Sequence, residues 1–398
     1  MNEKSPVRGV KDKNASEARI PGLDALRGMA AVGVAIFHFH YFFDAGPNFL
    51  ILQPIYNGAH FFVELFFVLS GFLLVQVYAH IRSYRELAVR RIARLFPLQW
   101  LSLLLVMIGQ YCYAQVHGKP FIYEINDSYH FVLNLLLLQQ VGLQEGFSFN
   151  GPSWSISAEW AINLVFFALL LRPRLLVPAS IVLALLSVIL LSAGAGDIAR
   201  LTILFGFLDT GLLRVGFGFF VGVLAAKLVT RFCTPGRMSL SWDGITLICL
   251  TVFIGFLGSV EINHNLYAQI PVVGVLMPLL VIACSKGRLF STVLSTRPLT
   301  WLGDISYAVY LLHFPIQILI FGFRKSLPVP LNSGEAILAY VLLLLAVSHL
   351  VFTYFERPSQ KFIRARLRAR SPAVPISEPY KAIPDDEVDA VVSGAAER

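Results

Sequence analysis

The chain has 398 residues, 56% of them hydrophobic and only 14% charged, with a mean hydropathy of +0.68. Soluble domains carry about 25% charged residues, so this composition excludes a soluble globular enzyme and predicts an all-α integral membrane protein. The net charge of +8 calls for no nucleic acid, because basic residues of membrane proteins gather on the cytoplasmic side.

Residues 1–20 are polar and lack an apolar core, which argues against a cleaved signal peptide and predicts a cytoplasmic arm. Apolar runs then predict about ten transmembrane helices, near 22–43, 55–78, 95–113, 153–171, 175–193, 212–230, 244–260, 267–285, 302–323 and 336–355. With the N-terminus inside, all but five of the 32 Lys and Arg residues fall on the cytoplasmic side. The five are Lys119, Arg200, Arg214, Arg324 and Lys325. This asymmetry predicts both termini in the cytoplasm. The organisation read from the chain is an arm over 1–20, a transmembrane domain over 21–358, and a basic, then disordered, tail over 359–398. The tail's acidic cluster is Asp385, Asp386 and Glu387.

The first span, PGLDALRGMAAVGVAIFHFHYFFD over 21–44, carries Asp24, Arg27, His38 and His40. Ionisable groups inside a span are expensive and mark function by default. Arg27 and His38 are eleven residues apart, three turns plus roughly 20°, and share one face. They stand about 16 Å apart along the axis, as two ends of one polar cleft. Packing against neighbouring helices is the competing reading. His40 points about 200° away from His38.

The second span holds Glu64, with His60 at i−4 as its nearest candidate partner, and then FFVLSGF, whose Ser70-Gly71 pair admits close approach of a backbone or ligand. Before the third span, Arg91 and Arg94 sit at i, i+3, a guanidinium fork suited to phosphate oxygens or lipid headgroups. The outer loop over 114–152 contains a further apolar stretch, 131–140, too short to span and expected to be re-entrant or interfacial.

The fourth span opens with NGPSWSISAEW over 150–160. Asn150 is suited to cap it and Pro152 to its first turn, while Ser155 and Glu159 share a face. Glu159 lies roughly 10 Å below the outer surface and His38 roughly 9 Å. The expectation is a carboxylate that orients an imidazole general base. The ninth span, WLGDISYAVYLLHFP over 301–315, adds Asp304, Ser306, Tyr307, Tyr310 and His313. Tyr310 and His313 share a face, and Pro315 is expected to kink the helix. His80, His117, His130, His264 and His349 have no evident partner. Four scattered cysteines (Cys112, Cys233, Cys249, Cys284) read as free thiols, and no metal site is expected.

These motifs together resemble the membrane-bound acyltransferase 3 family of bacterial multi-span O-acyltransferases. The resemblance rests on LDALRG with Arg27 and, after ten intervening residues, His38. It continues with FFVLSGF, Arg91-x-x-Arg94 before LFP, PSWSISAEW, LGDISYAVYLLHFP and FERP at 355–358, in order over 22–358. It implies transfer of an acyl, usually acetyl, group from cytosolic acyl-CoA to a hydroxyl of a carbohydrate or glycolipid acceptor, at the cytoplasmic (inner) membrane of a bacterium. Acyl-CoA would be a co-substrate, with no tightly bound cofactor. The resemblance also implies that His38 and Arg27 are essential and that Arg91 and Arg94 lie near the CoA. On the residues alone, Glu159 is expected in the catalytic set, Ser70 near the CoA, and Asp24, Glu64, Tyr310 and His313 near the substrate. The chain departs from the family at Ala161-Ile162-Asn163, where relatives often carry Phe-Tyr. A transporter or flippase using His38, Glu64, Glu159 and His313 as a polar path is the alternative, although the two halves show no matching broken helices.

Overall fold

A computed structural model describes residues 20–43, 46, 49–144, 146–194, 196–198, 200–232, 240–259 and 265–368. The predicted arm (all but Ile20), Cys233, His264 and the acidic cluster of the tail lie outside the described residues. The chain divides into a unit over 1–360, which holds everything below, and a unit over 361–398.

Among the described residues, ten helices are long and apolar enough to cross a membrane. We number the main α-helical segment of each span α1 (Pro21–Phe43), α2 (Phe62–Tyr78), α3 (Tyr84–His117), α4 (Trp154–Leu170), α5 (Pro173–Gly194), α6 (Thr210–Phe232), α7 (Leu240–Ser259), α8 (Met277–Lys286, the last part of the span Leu266–Lys286), α9 (Arg297–Gly322) and α10 (Gly334–Val351). A short helix, Leu266–Pro271, and a π-helical turn, Val272–Leu276, lead into α8. The one described sheet is a hairpin pairing Ile203 with Asp209 and Leu204 with Leu208.

The largest boundary difference is α3. The charges of 85–94 put the predicted start near residue 95, but the helix begins at Tyr84 and runs 34 residues, about 51 Å. That exceeds a hydrocarbon core of about 30 Å, so α3 overhangs and its charged first turns leave the apolar layer. The overhang starts on a side-chain N-cap: Ser83 accepts from the Glu86 N–H at 3.3 Å, while the Glu86 carboxylate pairs with Arg90 at 2.7 Å.

The stretch 131–140 falls largely in a nine-residue helix, Ser128–Leu136, capped by Asp127. The His130 backbone N–H and ring at this cap hold the exposed Asp127 carboxyl below its usual range. His130 thus has a partner that the sequence did not disclose.

Burial separates the helices into a core and a rim. The most apolar stretches of α6 and α9 are 72% buried, whereas those of α5 and α7 are 28% buried. The rim helices turn large apolar side chains outward, among them Val182, Leu185, Ile189, Ile248 and Val252, as a lipid-facing surface requires. Within the core, small residues let backbones touch. A Cβ on Gly28 of α1 would stand 2.6 Å from the Leu302 carbonyl carbon of α9, and one on Gly303 would run into the Asp24 carbonyl. Gly71 of α2 and Gly222 of α6 meet the Phe219 and Val68 carbonyls in the same way.

Candidate functional site

α9 is the spine of the polar interior. Gly303, Ser306, Tyr310, His313 and Gln317 follow one another at three or four residues, which draws a stripe down one helix face. Every position of the stripe holds a partner from another element. Arg27 of α1 donates from Nε to Ser306 Oγ and from Nη2 to the Gly303 carbonyl, both at 2.9 Å, and pairs with Asp24 at 3.1 Å. His38 Nδ1 and His313 Nε2 stand 3.1 Å apart, with the two rings stacked at 5.0 Å. Gln317 donates to the Ala35 carbonyl at 3.1 Å. Arg27 and His38 therefore face the same helix, as their spacing predicts. His40 turns elsewhere and stacks on Tyr56 at 3.9 Å.

Tyr310 shares a hydrogen bond with Ser155 at 2.7 Å and donates to the Pro152 carbonyl at 2.8 Å, which ties α9 to the start of α4. That start is a 3₁₀ turn, Gly151–Ser153, with Pro152 inside it. Asn150 makes no side-chain cap there. It donates instead to the Leu311 carbonyl at 3.0 Å and to Ser102. The reason lies four residues on: Pro315 has no N–H, so Leu311 loses its helical donor and accepts from Asn150. The α-helix continues to Gly322.

The placement of Glu159 corrects the sequence expectation. Its carboxylate binds Arg91 and accepts from Ser70 Oγ at 2.5 Å, instead of bonding to His38. An expected similar depth set the prediction, but Glu159 lies one turn beyond Ser155, which bonds Tyr310, and so sits at the level of Arg91 while His38 sits at His313. α4 packs against α2 and α3, so Glu159 meets the groups those helices present. Arg91 is corrected with it. Only 7% exposed, it is committed to Glu159 and does not form an open fork with Arg94. Arg94 is half-buried and lies within electrostatic reach of Glu356, the acid of the FERP motif.

Glu64 is corrected as well. Its partner is Arg214 of α6, which reaches Glu64 Oε1 from Nε at 2.9 Å and from Nη2 at 2.5 Å; His60 does not fill that place. Arg214 also lies 4.6 Å from the centre of the Trp154 ring. The charge asymmetry puts Arg214 at the outer end of the sixth span, yet it is 3% exposed inside the bundle. The signal was present, since an arginine four residues into TGLLRVGFGFF needs a buried acid.

Three groups of candidate residues thus assemble along α9. Asp24 and Arg27 sit at one end, and His38, Tyr310 and His313 toward the other. Ser70, Arg91 and Glu159 stand between α2, α3 and α4. Tyr307 of α9 donates to the Leu95 carbonyl at 2.7 Å and lies within electrostatic reach of Arg91, Glu159, Arg94 and Glu356. Tyr310 lies within the same reach of Arg214, Glu159 and Glu64. A partly buried imidazole held against a second imidazole inside a helical bundle is equipped to take a proton from an alcohol.

The family profile described as an acyltransferase domain, that of the acyltransferase 3 group, matches residues 20–353. The chain belongs to this family. Its relatives include peptidoglycan O-acetyltransferase OatA of Listeria monocytogenes, 25% identical over 87% of this chain and 56% of the relative. The putative peptidoglycan O-acetyltransferase YrhL of Bacillus subtilis is 24% identical over 85% of this chain and 54% of its own length. O-acetyltransferase OatA of Staphylococcus aureus is 21% identical over 88% and 58%. The chain thus spans little more than half the length of these relatives. No solved structure matches it. Family and helices together make this a multi-span membrane protein.

Proposed function

We propose that the chain is a membrane-bound O-acyltransferase. It moves an acyl group, acetyl by the names of its relatives, from cytosolic acyl-CoA to a hydroxyl of a cell-wall or surface glycan. Its basic end faces the cytoplasm, in the inner membrane of a bacterium. The observation that carries this reading is the pairing of α1 with α9, which sets Arg27 and His38 on one polar stripe within a chain of the acyltransferase 3 family.

In this mechanism His38 takes the proton of the acceptor hydroxyl, and the oxygen attacks the thioester carbonyl. The tetrahedral intermediate collapses, the C–S bond breaks, and the departing CoA thiolate recovers the proton from His38. Arg27 spans α1 and α9 below His38 and holds their register. Arg94 supplies a cation for the CoA phosphates. Asp24 keeps Arg27 in place, and Ser70 and Glu159 do the same for Arg91.

The test compares ester-linked acyl groups on surface glycans between a deletion strain and its parent. Loss of esters on deletion, restored by the intact gene and not by a His38→Ala gene, is the expected result. Equal ester content in deletion and parent strains contradicts the proposal.

A further inference from the structure

The hydrogen bonds between α1 and α9 fix protons as well as atoms. His313 Nδ1 lies 2.5 Å from the Tyr310 carbonyl oxygen. A carbonyl only accepts, so Nδ1 carries the proton and the neutral ring keeps its lone pair on Nε2. That Nε2 stands 3.1 Å from His38 Nδ1, so Nδ1 is the donor in this pair; the Val34 carbonyl one turn back also accepts from the His38 ring, and His313 adds the acceptor that reaches it from α9. The His38 lone pair is then on Nε2, at the opposite edge of the ring from His313.

We propose that His313 is a positioning residue which holds His38 in the single neutral tautomer whose Nε2 is a free base. This rests on the reading of His38 as the base of acyl transfer. The arrangement has the logic of a base oriented by a third group, with a buried imidazole where a carboxylate often stands. The nearby carboxylates are engaged elsewhere: Glu159 binds Arg91 and Ser70, and Glu64 binds Arg214.

Two further observations fit. His313 is wholly buried, so no water competes for its Nε2. The bond to Tyr310 is local to α9 and sets the imidazole before any substrate arrives. The chain of bonds also ends on a carbonyl, which cannot take up a proton. His313 therefore orients His38 and does not carry protons away from it. The proton taken from the acceptor stays on His38 until the thiolate recovers it.

The experiment compares His313→Leu and His313→Gln in purified protein. Leucine fills the space with no acceptor, while the glutamine carbonyl reaches the place of the lost Nε2. The Leu variant should lose kcat by a factor approaching loss of the base itself, about 10²–10⁴, with the KM for acyl-CoA unchanged. The Gln variant should recover most of that loss. Nitrogen NMR of histidine-labelled protein should show His38 protonated on Nδ1 and bare on Nε2 in the intact protein and in the Gln variant, and mixed tautomers in the Leu variant.

A Leu variant with full kcat overturns the proposal. So do equal losses in both variants with the His38 tautomer unchanged, which is the signature of packing alone, and so does an Nε2 proton on His38 in the intact protein. The tautomer measurement needs no turnover. If the protein transfers no acyl group at all, a bare Nε2 that is lost only in the Leu variant still supports the role of His313, and the failed assay counts against the function alone.

Discussion

Replacing Glu159 with glutamine tests the interior ion pair most sharply. The side chains of Arg91 and Glu159 are 8% and 15% exposed, and Ser70 donates to the same carboxylate. Glutamine keeps the shape and removes the charge, leaving the Arg91 guanidinium buried with no counter-ion. Breaking a buried pair in this way costs about 3–5 kcal/mol. Removing both partners with Arg91→Leu/Glu159→Leu should cost far less, because no lone charge remains and apolar replacements of buried pairs are often near neutral. The assay is denaturant unfolding in mild detergent, followed by tryptophan fluorescence, for the intact protein, the two single Leu variants, their double and Glu159→Gln. The singles and the double should be non-additive by at least about 1 kcal/mol. A Glu159→Gln protein as stable as the parent, or a cycle additive within about 0.5 kcal/mol, would refute the reasoning.

Other expectations follow from the same packing. Arg94→Ala should weaken CoA binding about tenfold or more through the loss of a charge-assisted hydrogen bond of about 1.5–3 kcal/mol, with folding intact; unchanged affinity by titration calorimetry would remove Arg94 from the donor site. Gly71→Ala places a methyl group against the Phe219 carbonyl of α6, a backbone atom that cannot swing aside, and should cost about 1–3 kcal/mol in the same unfolding assay; a neutral effect would show that α2 and α6 are not in backbone contact. A topology reporter fused after Arg398 should read cytoplasm and one beside Lys119 the outside; the same side for both would contradict the charge asymmetry.

Much of the architecture was legible because lipid imposes it. A span must be a helix of about 20 apolar residues, so the helices could be read from hydropathy alone. The shared face of Arg27 and His38 was legible too, because both lie on one helix and the period fixes their angle. What sequence could not supply is which helices are neighbours. Counting residues from the span ends put Glu159 and His38 at similar depth, but Glu159 lies a turn beyond Ser155, which bonds Tyr310, and there meets Ser70 and Arg91, while His38 meets His313. Glu64 and Arg214 are 150 positions apart, and no local rule joins them. The stripe through Ser306, Tyr310 and His313 was visible only in part, since its meaning depends on α1 lying alongside. Asn150 shows a subtler limit: its partner, the Leu311 carbonyl, is free only because a proline stands four residues further along another helix.

The central claim is that His38, and not its neighbour in sequence, performs the proton transfer. His40 stacks on Tyr56, away from the α9 stripe. The direct measurement is acyl transfer from acyl-CoA by His38→Ala and His40→Ala proteins, each normalised to protein in the membrane. His38→Ala should lose about 10²–10⁴ in rate at normal membrane levels, and His40→Ala should keep most of its activity. An active His38→Ala protein, or an inactive His40→Ala protein at normal levels, would contradict the account.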